Sequence, residues 1–504
     1  MQQKRNYLFR MVKPVFFLFL TLLMLYGLNR TLTPKYRYDS ANPLSETYRG
    51  FYQMNKNTVD VLFLGSSHTA CGFSPQELYD AYSIRSYNLG SNSQSLWTSY
   101  YWLKEALQNQ SPKAVVLDTY SLFLDERENE ASHRLAFDDM RWGTVKKEAV
   151  QTICRFDKEQ SALSYFLTNI RYHSRWSGLQ AKDFSWMRFL TPPQLKGTWR
   201  YHNICGYEEY TPLTTFAVEN NEETENFQAD AEEYLCKIAA LCREKNIHLI
   251  LVKTPTLAET PARHNRIMAF AKENGLNFYD FNMEELYHAI DFNYARDMSD
   301  NATSGAKNAH ANPYGRQKLT NYLGKILLEN YAVPSVSDSQ WENTRAFNEG
   351  MKKDFLLCHE TNPETYLSML KDARYTVWIA VKDEASASLN KNLQAQLRAL
   401  GLTADWENAL QKSYFAVIEQ GNVVVEKMAE ERLEHQGAFA GKKIIYQISS
   451  AGASCGNDCS IQINAKEQAK RSRGLNIVVY SHDAKAVVDS VCFDTYAEEL
   501  TAVR

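Results

Sequence analysis

Between residues 58 and 332, short apolar runs rich in strand formers alternate with longer runs rich in Ala, Glu, Lys and Leu. The runs Val61-Leu62-Phe63-Leu64, Ala114-Val115-Val116-Leu117, 247–253 and 277–281 predict strands, whereas 231–245, 262–273 and 314–330 predict helices. Strands that lack polar alternation are buried on both faces, so this repetition predicts an α/β domain with a parallel, doubly covered sheet. Thr254-Pro255-Thr256 breaks the third run at the sheet edge where Ser67 follows the first. The stretch 125–224 departs from the rhythm and is rich in Trp, Arg, Tyr and His, as in Arg171-Tyr172-His173-Ser174-Arg175-Trp176. It reads as an insertion that either roofs a site or builds a satellite core; aromatic faces beside guanidinium groups suit pyranose rings and acidic sugars.

Two further patterns lie outside this domain. Residues 15–28 form an unbroken uncharged apolar run, preceded by Lys4, Arg5, Arg10 and Lys13 without an acid. Fourteen helical residues rise only ~21 Å, short of a ~30 Å hydrocarbon core, but 11–32 suffices if Lys13 and Arg30 snorkel to the two interfaces. A cleaved signal peptide competes with this reading, yet no small-x-small cleavage site follows. The expectation is a single-pass membrane anchor at 14–32, a cytoplasmic basic tail at 1–13, a linker at 33–57 and an extracytoplasmic remainder. Pro334 and several serines predict a second linker at 333–345. Beyond it, short alternating strands near 375–386, 413–421, 459–463, 473–480 and 490–495, with one helix at 389–400 stopped by Gly401, predict a β-rich α+β domain over 346–504.

Composition narrows the function classes. With 504 residues, 44% of them hydrophobic, the chain has material for more than one core. A net charge of −3 and the lack of a basic stripe argue against nucleic acid as a partner. Nine scattered cysteines do not read as a disulfide framework. Cys455 and Cys459 are the one close pair; they predict a small disulfide rather than a zinc site, because no matching pair lies nearby.

The chemistry concentrates in three blocks: Gly65-Ser66-Ser67-His68 after the first strand, Tyr87-Asn88-Leu89-Gly90-Ser91-Asn92-Ser93-Gln94, and His310-Ala311-Asn312-Pro313-Tyr314-Gly315. A hydroxyl at a strand's carboxyl edge is inert until a base takes its proton and N–H groups hold the oxyanion, so the later blocks give the first its meaning. In this order they resemble the SGNH (GDSL-like) hydrolase superfamily, whose fold is a flavodoxin-like three-layer α/β sandwich, over 58–332. The resemblance implies that Ser67 is the nucleophile, His310 the general base, and Ser67, Gly90 and Asn92 the oxyanion donors. Three positions depart from it. Ser66 replaces the usual acidic residue, Asp118 stands where an Asn is expected, and Lys307 stands three before the histidine where an Asp is expected. A lysine cannot accept the imidazole N–H, so the orienting acid is expected at Asp300, ahead of Asp297, with 301–308 looping out between Asp300 and the histidine block.

The C-terminal run Arg473-Gly474-Leu475-Asn476-Ile477-Val478-Val479, with the later Phe493-Asp494, resembles the domain of interleukin-like EMT inducer proteins. It is also similar to the carbohydrate-binding stem of a protein O-mannose N-acetylglucosaminyltransferase. Ser413-Tyr414-Phe415-Ala416-Val417-Ile418 precedes this run here but follows it in the family, which implies a circular permutation. Together the resemblances imply an O-acyltransferase or esterase acting on acyl groups, chiefly O-acetyl, of cell-surface polysaccharide, working with a membrane-bound O-acyltransferase and needing no cofactor or metal ion. The alternative they allow is an inactive SGNH-fold protein that binds glycan or scaffolds envelope-polymer assembly.

Overall fold

The computed structural model describes residues 2–34, 44–184, 194–200, 203–301, 305–441, 443–498, 500 and 502–504. The chain divides into two compact units, 1–345 and 346–504.

The first unit is built on a five-stranded, wholly parallel sheet: β1 (Val61–Leu64), β2 (Ser86–Asn88), β3 (Ala114–Asp118), β4 (His248–Lys253) and β5 (Asn277–Asp280), in the order β2-β1-β3-β4-β5. The period of two divides each strand between two cores. Leu62, Leu64, Val115, Leu117, Leu249 and Leu251 enter one cluster, together with helix residues such as Trp102, Ile153 and Ile238. Val61, Phe63, Ala114, Val116, Ile250 and Val252 enter the opposite one, with Leu319, Leu323 and Leu327. Continuous apolar runs are therefore required in β1, β3 and most of β4, because neither face of those strands meets water. The helices fall where the composition places them, at Ala229–Glu244, Pro261–Asn274 and Pro313–Tyr331.

Three expectations change. Much of the 125–224 insertion folds as a lateral extension of the first core: Leu135, Phe137, Val150 and Tyr165 belong to that cluster, and Phe137 stacks on Trp97 at 5.5 Å between ring centroids. Arg171 and Arg175, the guanidinium groups of the Arg171–Trp176 run, are committed to ion pairs with Glu130 and Asp183. The 333–345 linker ends early, because a helix runs over Ser339–His359 and buries Trp341 against Tyr79. The expected loop at 301–308 is in part a hairpin, with β6 (Met298–Asn301) antiparallel to β7 (Gly305–Ala311); residues 302–304 lie outside the described residues.

At the N-terminus, helix α1 (Gln2–Leu32) contains the span Val12–Leu32, long and apolar enough to cross a membrane, and the next described helix is α2 (Leu44–Phe51).

The second unit is mixed, with a large curled sheet. Its central strand β8 (Tyr375–Asp383) is flanked by β9 (Ser413–Glu419) and β15 (Gly474–Ser481), and the sheet is completed by β10 (Asn422–Ala429), β11 (Leu433–Phe439), β12 (Ile444–Gly452), β13 (Asp458–Ile463), β14 (Lys466–Glu467), β16 (Ala486–Phe493) and β17 (Ala502–Val503). One face packs Val377, Ile379, Ile477 and Val479 against helix residues Leu393 and Leu397. On the other, Trp378, Phe415 and Val478 meet Ile448 and Ile461, so the sheet closes over itself. The disulfide expected between Cys455 and Cys459 is not formed. Both are free thiols; Cys459 is buried in β13, while the Cys455 thiol lies 3.1 Å from the Ser413 hydroxyl.

Candidate active site

Gly65 follows strand β1, and its φ of +139° lies in the region that favours glycine. A Cβ there would stand 2.6 Å from the Asp118 Cβ, so the turn can close against β3 only without one. Ser66 follows in extended conformation and caps helix α3 (Ser67–Gly72), its hydroxyl oxygen accepting from the His68 N–H at 3.2 Å and its O–H donating to Asp118 at 2.8 Å. Two of the positions that depart from the resembled pattern thus form one interaction, with the serine before Ser67 matched by a carboxylate at the end of β3. Burial raises Asp118 above the usual carboxylate range, and the Ser66 hydrogen bond and Lys253 partly offset that rise.

Ser67 opens α3 with its side chain almost enclosed, and its hydroxyl lies 2.8 Å from His310 Nε2 across 243 positions of sequence. Its N–H precedes the first intrahelical acceptor, and no described hydrogen bond takes it. His310 sits in β7 opposite Ser299, whose hydroxyl donates to the His310 carbonyl at 2.9 Å. Two residues on, the fully buried Asn312 accepts from the N–H groups of Tyr314 and Gly315 and donates to the carbonyls of Arg296 and Met298. This clamps the start of the 313–331 helix onto β6 and so fixes the histidine block. Burial pushes the His310 imidazole down to about 4, leaving it neutral and able to accept a proton at neutral pH.

The remaining predicted residues are placed differently. Gly90 lies against α3, where a Cβ would be 2.9 Å from the Ala70 nitrogen, but its N–H donates to the Asn88 side chain at 2.9 Å and is already engaged. Asn92 has an exposed side chain, and its carbonyl accepts from the Ser132 hydroxyl. Asp300 is next to Ser299 in β6, and among the described contacts none joins its carboxylate to His310; its Oδ1 is buried without a hydrogen-bond partner. Asp297 is held by Lys318 and Arg296. Asp300 lies one position from the residue paired with His310, where the hairpin register shifts between Ser299 and Asn301.

One histidine that the sequence motif contains, but that received no role, belongs to this site. His68 is buried with its ring 4.8 Å from that of His310 and 4.0 Å from that of Tyr120, and its Nδ1 meets the Thr254 hydroxyl at 3.2 Å. Burial, then the nearby His310 and Lys253, hold it well below the ordinary histidine value. Behind it, Lys253 and Glu259 form an enclosed ion pair; burial raises Glu259 to about 7 despite the pull of Lys253. Thr254, read from sequence only as a strand terminator, becomes a site residue because β4 ends beside β3.

No known family model matches the chain, and no curated protein does. Among solved structures, the chain is similar to a protein of Bacteroides fragilis provisionally assigned as an acylhydrolase, at 11% identity and a TM-score of 0.25, covering 58% of this chain and all of the other.

Proposed function

We propose that the protein is a membrane-anchored, extracytoplasmic serine esterase or O-acyltransferase of SGNH type, acting on acyl groups of a cell-surface polysaccharide. The observation that carries this reading is the 2.8 Å contact between the Ser67 hydroxyl and the neutral His310 at the carboxyl edge of a parallel sheet. In the first half-reaction, Ser67 Oγ bonds to the acyl carbon as its proton passes to His310 Nε2. The Ser67 N–H faces the developing oxyanion, and the departing alcohol takes the proton from His310 as the acyl–oxygen bond breaks. In the second, His310 takes a proton from an acceptor hydroxyl as that oxygen bonds to the acyl carbon, and returns it to Ser67 Oγ as the acyl–Oγ bond breaks. A sugar hydroxyl makes this transfer, and water makes it hydrolysis. Ser67 and His310 carry the bond-making and proton-transfer steps of this scheme, and among the described contacts none joins the Asp300 carboxylate to the imidazole.

The second unit is assigned to glycan binding. A cleft of about 580 Å³ opens on the face of β11, β12 and β13, where Gln436, Gln447 and Gln462 stand in register across three strands beside Ser449 and Ser460. Amides and hydroxyls in a row offer alternating donors and acceptors, which suits sugar hydroxyls. A membrane-bound O-acyltransferase is proposed as the acyl-supplying partner.

The occupied Gly90 N–H and the Lys307 substitution favour a second reading, in which the first unit has lost its chemistry and the protein binds or scaffolds glycan. Fluorophosphonate labelling of the full chain decides between them. Label on wild type that disappears in Ser67→Ala supports the enzyme, whereas a wild type that takes no label refutes it.

A further inference from the structure

Helix α1 changes character within one turn. From Val12 to Leu28 nearly every large side chain is exposed, Asn29 and Arg30 are half-buried, and Thr31, Leu32 and Thr33 are buried. The elements that cover this end come from the insertion: helix Asn169–Tyr172 and the 3₁₀ turns His173–Gly178 and Ala181–Phe184. Hydrogen bonds fix the junction. The Asn29 side-chain oxygen accepts from the Thr168 hydroxyl and the Asn169 N–H, the Thr33 and Thr168 hydroxyls pair, and Arg175 donates to the Leu32 carbonyl.

These covering elements and their neighbours carry an unusual surface. Trp142, Leu163, Leu167, Ile170, Trp176 and Phe184 are all exposed, Trp176 at 73%. Among the described residues of the first unit beyond α1, the other exposed large hydrophobics are Phe216, Met268 and Val336, so six of nine fall between 142 and 184. Trp142 packs edge-on against Phe166 of helix Ala162–Phe166, which ties it to the same patch. Water gains nothing from such a patch, and the core beneath it is already closed by Tyr165 and Val150.

The position of α1 identifies what covers it. The exposed stretch from Val12 to Leu28 rises ~26 Å, close to the ~30 Å of a hydrocarbon core, so the bilayer surface falls at the level of residues 28–33, where the insertion docks. We propose that the 161–184 segment, together with Trp142, is a platform that rests in the lipid headgroup region around the emerging end of α1. Tryptophans with an apolar body and a polar N–H suit that layer, and Arg171 lies among them with its charge paired to Glu130. The platform also fixes the orientation of the site. Glu130 begins the helix Glu130–Phe137, whose Ser132 hydroxyl donates to the carbonyls of Asn92 and Ser93 beside the Gly90 loop. One short helix therefore links the lipid-facing patch to the neighbourhood of Ser67, and the candidate site is held at a set height above the bilayer instead of moving on a flexible tether.

The inference rests on α1 crossing the bilayer, and the test separates the two. The full chain is reconstituted into phosphatidylcholine vesicles, with Trp186→Phe in every protein, and floated before measurement. Failure to float overturns the anchor, and the platform with it. In the floated fraction, lipids brominated near the headgroup are expected to quench tryptophan emission relative to unbrominated lipid, and the quenching is expected to vanish in Trp142→Phe/Trp176→Phe. Both substitutions lie at exposed side chains and leave the core intact, while the other described tryptophans are buried. Floated protein whose emission brominated lipid leaves unchanged, or whose quenching persists undiminished in the double variant, overturns the platform and assigns the patch to a protein partner.

Discussion

The state of His310 gives the sharpest prediction. Burial moves its pKa from 6.5 to about 4, a bias against the imidazolium of roughly 3 kcal/mol. A general base works only when neutral, and a depressed value extends the neutral form toward acid. At pH 5, an imidazole titrating near 4 is about 90% neutral, whereas one titrating at 6.5 is about 3% neutral, a roughly 30-fold difference in available base. The rate constant kcat/KM toward an acetyl-ester probe should therefore stay flat from pH 8 down to about 5 and fall only as pH drops through about 4. The same bias disfavours the imidazolium formed during attack, and a carboxylate at the ring nitrogen facing away from Ser67 would relieve it and draw the inflection back up. Asp300→Asn tests for that acid. Since no described contact joins Asp300 to His310, the substitution should change kcat by less than about tenfold and leave the inflection in place, whereas loss of a true orienting acid costs ~10⁴. A wild-type inflection near 7, together with a collapse of turnover in Asp300→Asn, would refute the separation of Asp300 from His310.

Three further outcomes follow from the local geometry. Ser66→Ala removes the cap of α3 and the hydroxyl donor to buried Asp118; it should destabilise the first unit by roughly 1–3 kcal/mol in urea unfolding, and unchanged stability would mean that the Ser66–Asp118 bond contributes nothing. Gly65→Ala must place a Cβ 2.6 Å from Asp118 at a φ of +139°, so a loss of roughly 2–4 kcal/mol and of fluorophosphonate labelling is expected; a variant with wild-type melting temperature contradicts the close approach of β1 and β3. Gln447→Ala/Gln462→Ala, on the outer face of the second unit's sheet, should abolish retention on bacterial surface glycans without lowering the melting temperature; binding that persists in the variant would place the glycan elsewhere.

Much of the first unit was legible in the sequence because its strands are buried on both faces. Such strands must be continuously apolar, and the runs at 61–64, 114–117 and 248–253 stand out for that reason. The pairing of Ser67 with His310 was inferable from the order of blocks, since the carboxyl edge of a parallel sheet gathers chain segments distant in sequence. Contacts between side chains were not legible. That Asp118 serves Ser66, that Asn88 occupies the Gly90 N–H, and that His68 packs on His310 depend on strand neighbours and rotamers that no local pattern encodes. Asp300 shows the limit most clearly: its spacing from His310 suggests a partner, but it sits where the hairpin register shifts between Ser299 and Asn301, and that irregularity, which no spacing encodes, decides which side chain faces the histidine. The insertion was readable as an irregularity and no more. Its arginines suit sugars by composition, yet only the fold pairs them with Glu130 and Asp183 and sets the aromatic surface around the end of α1, because burial and ion pairing are properties of the assembled chain.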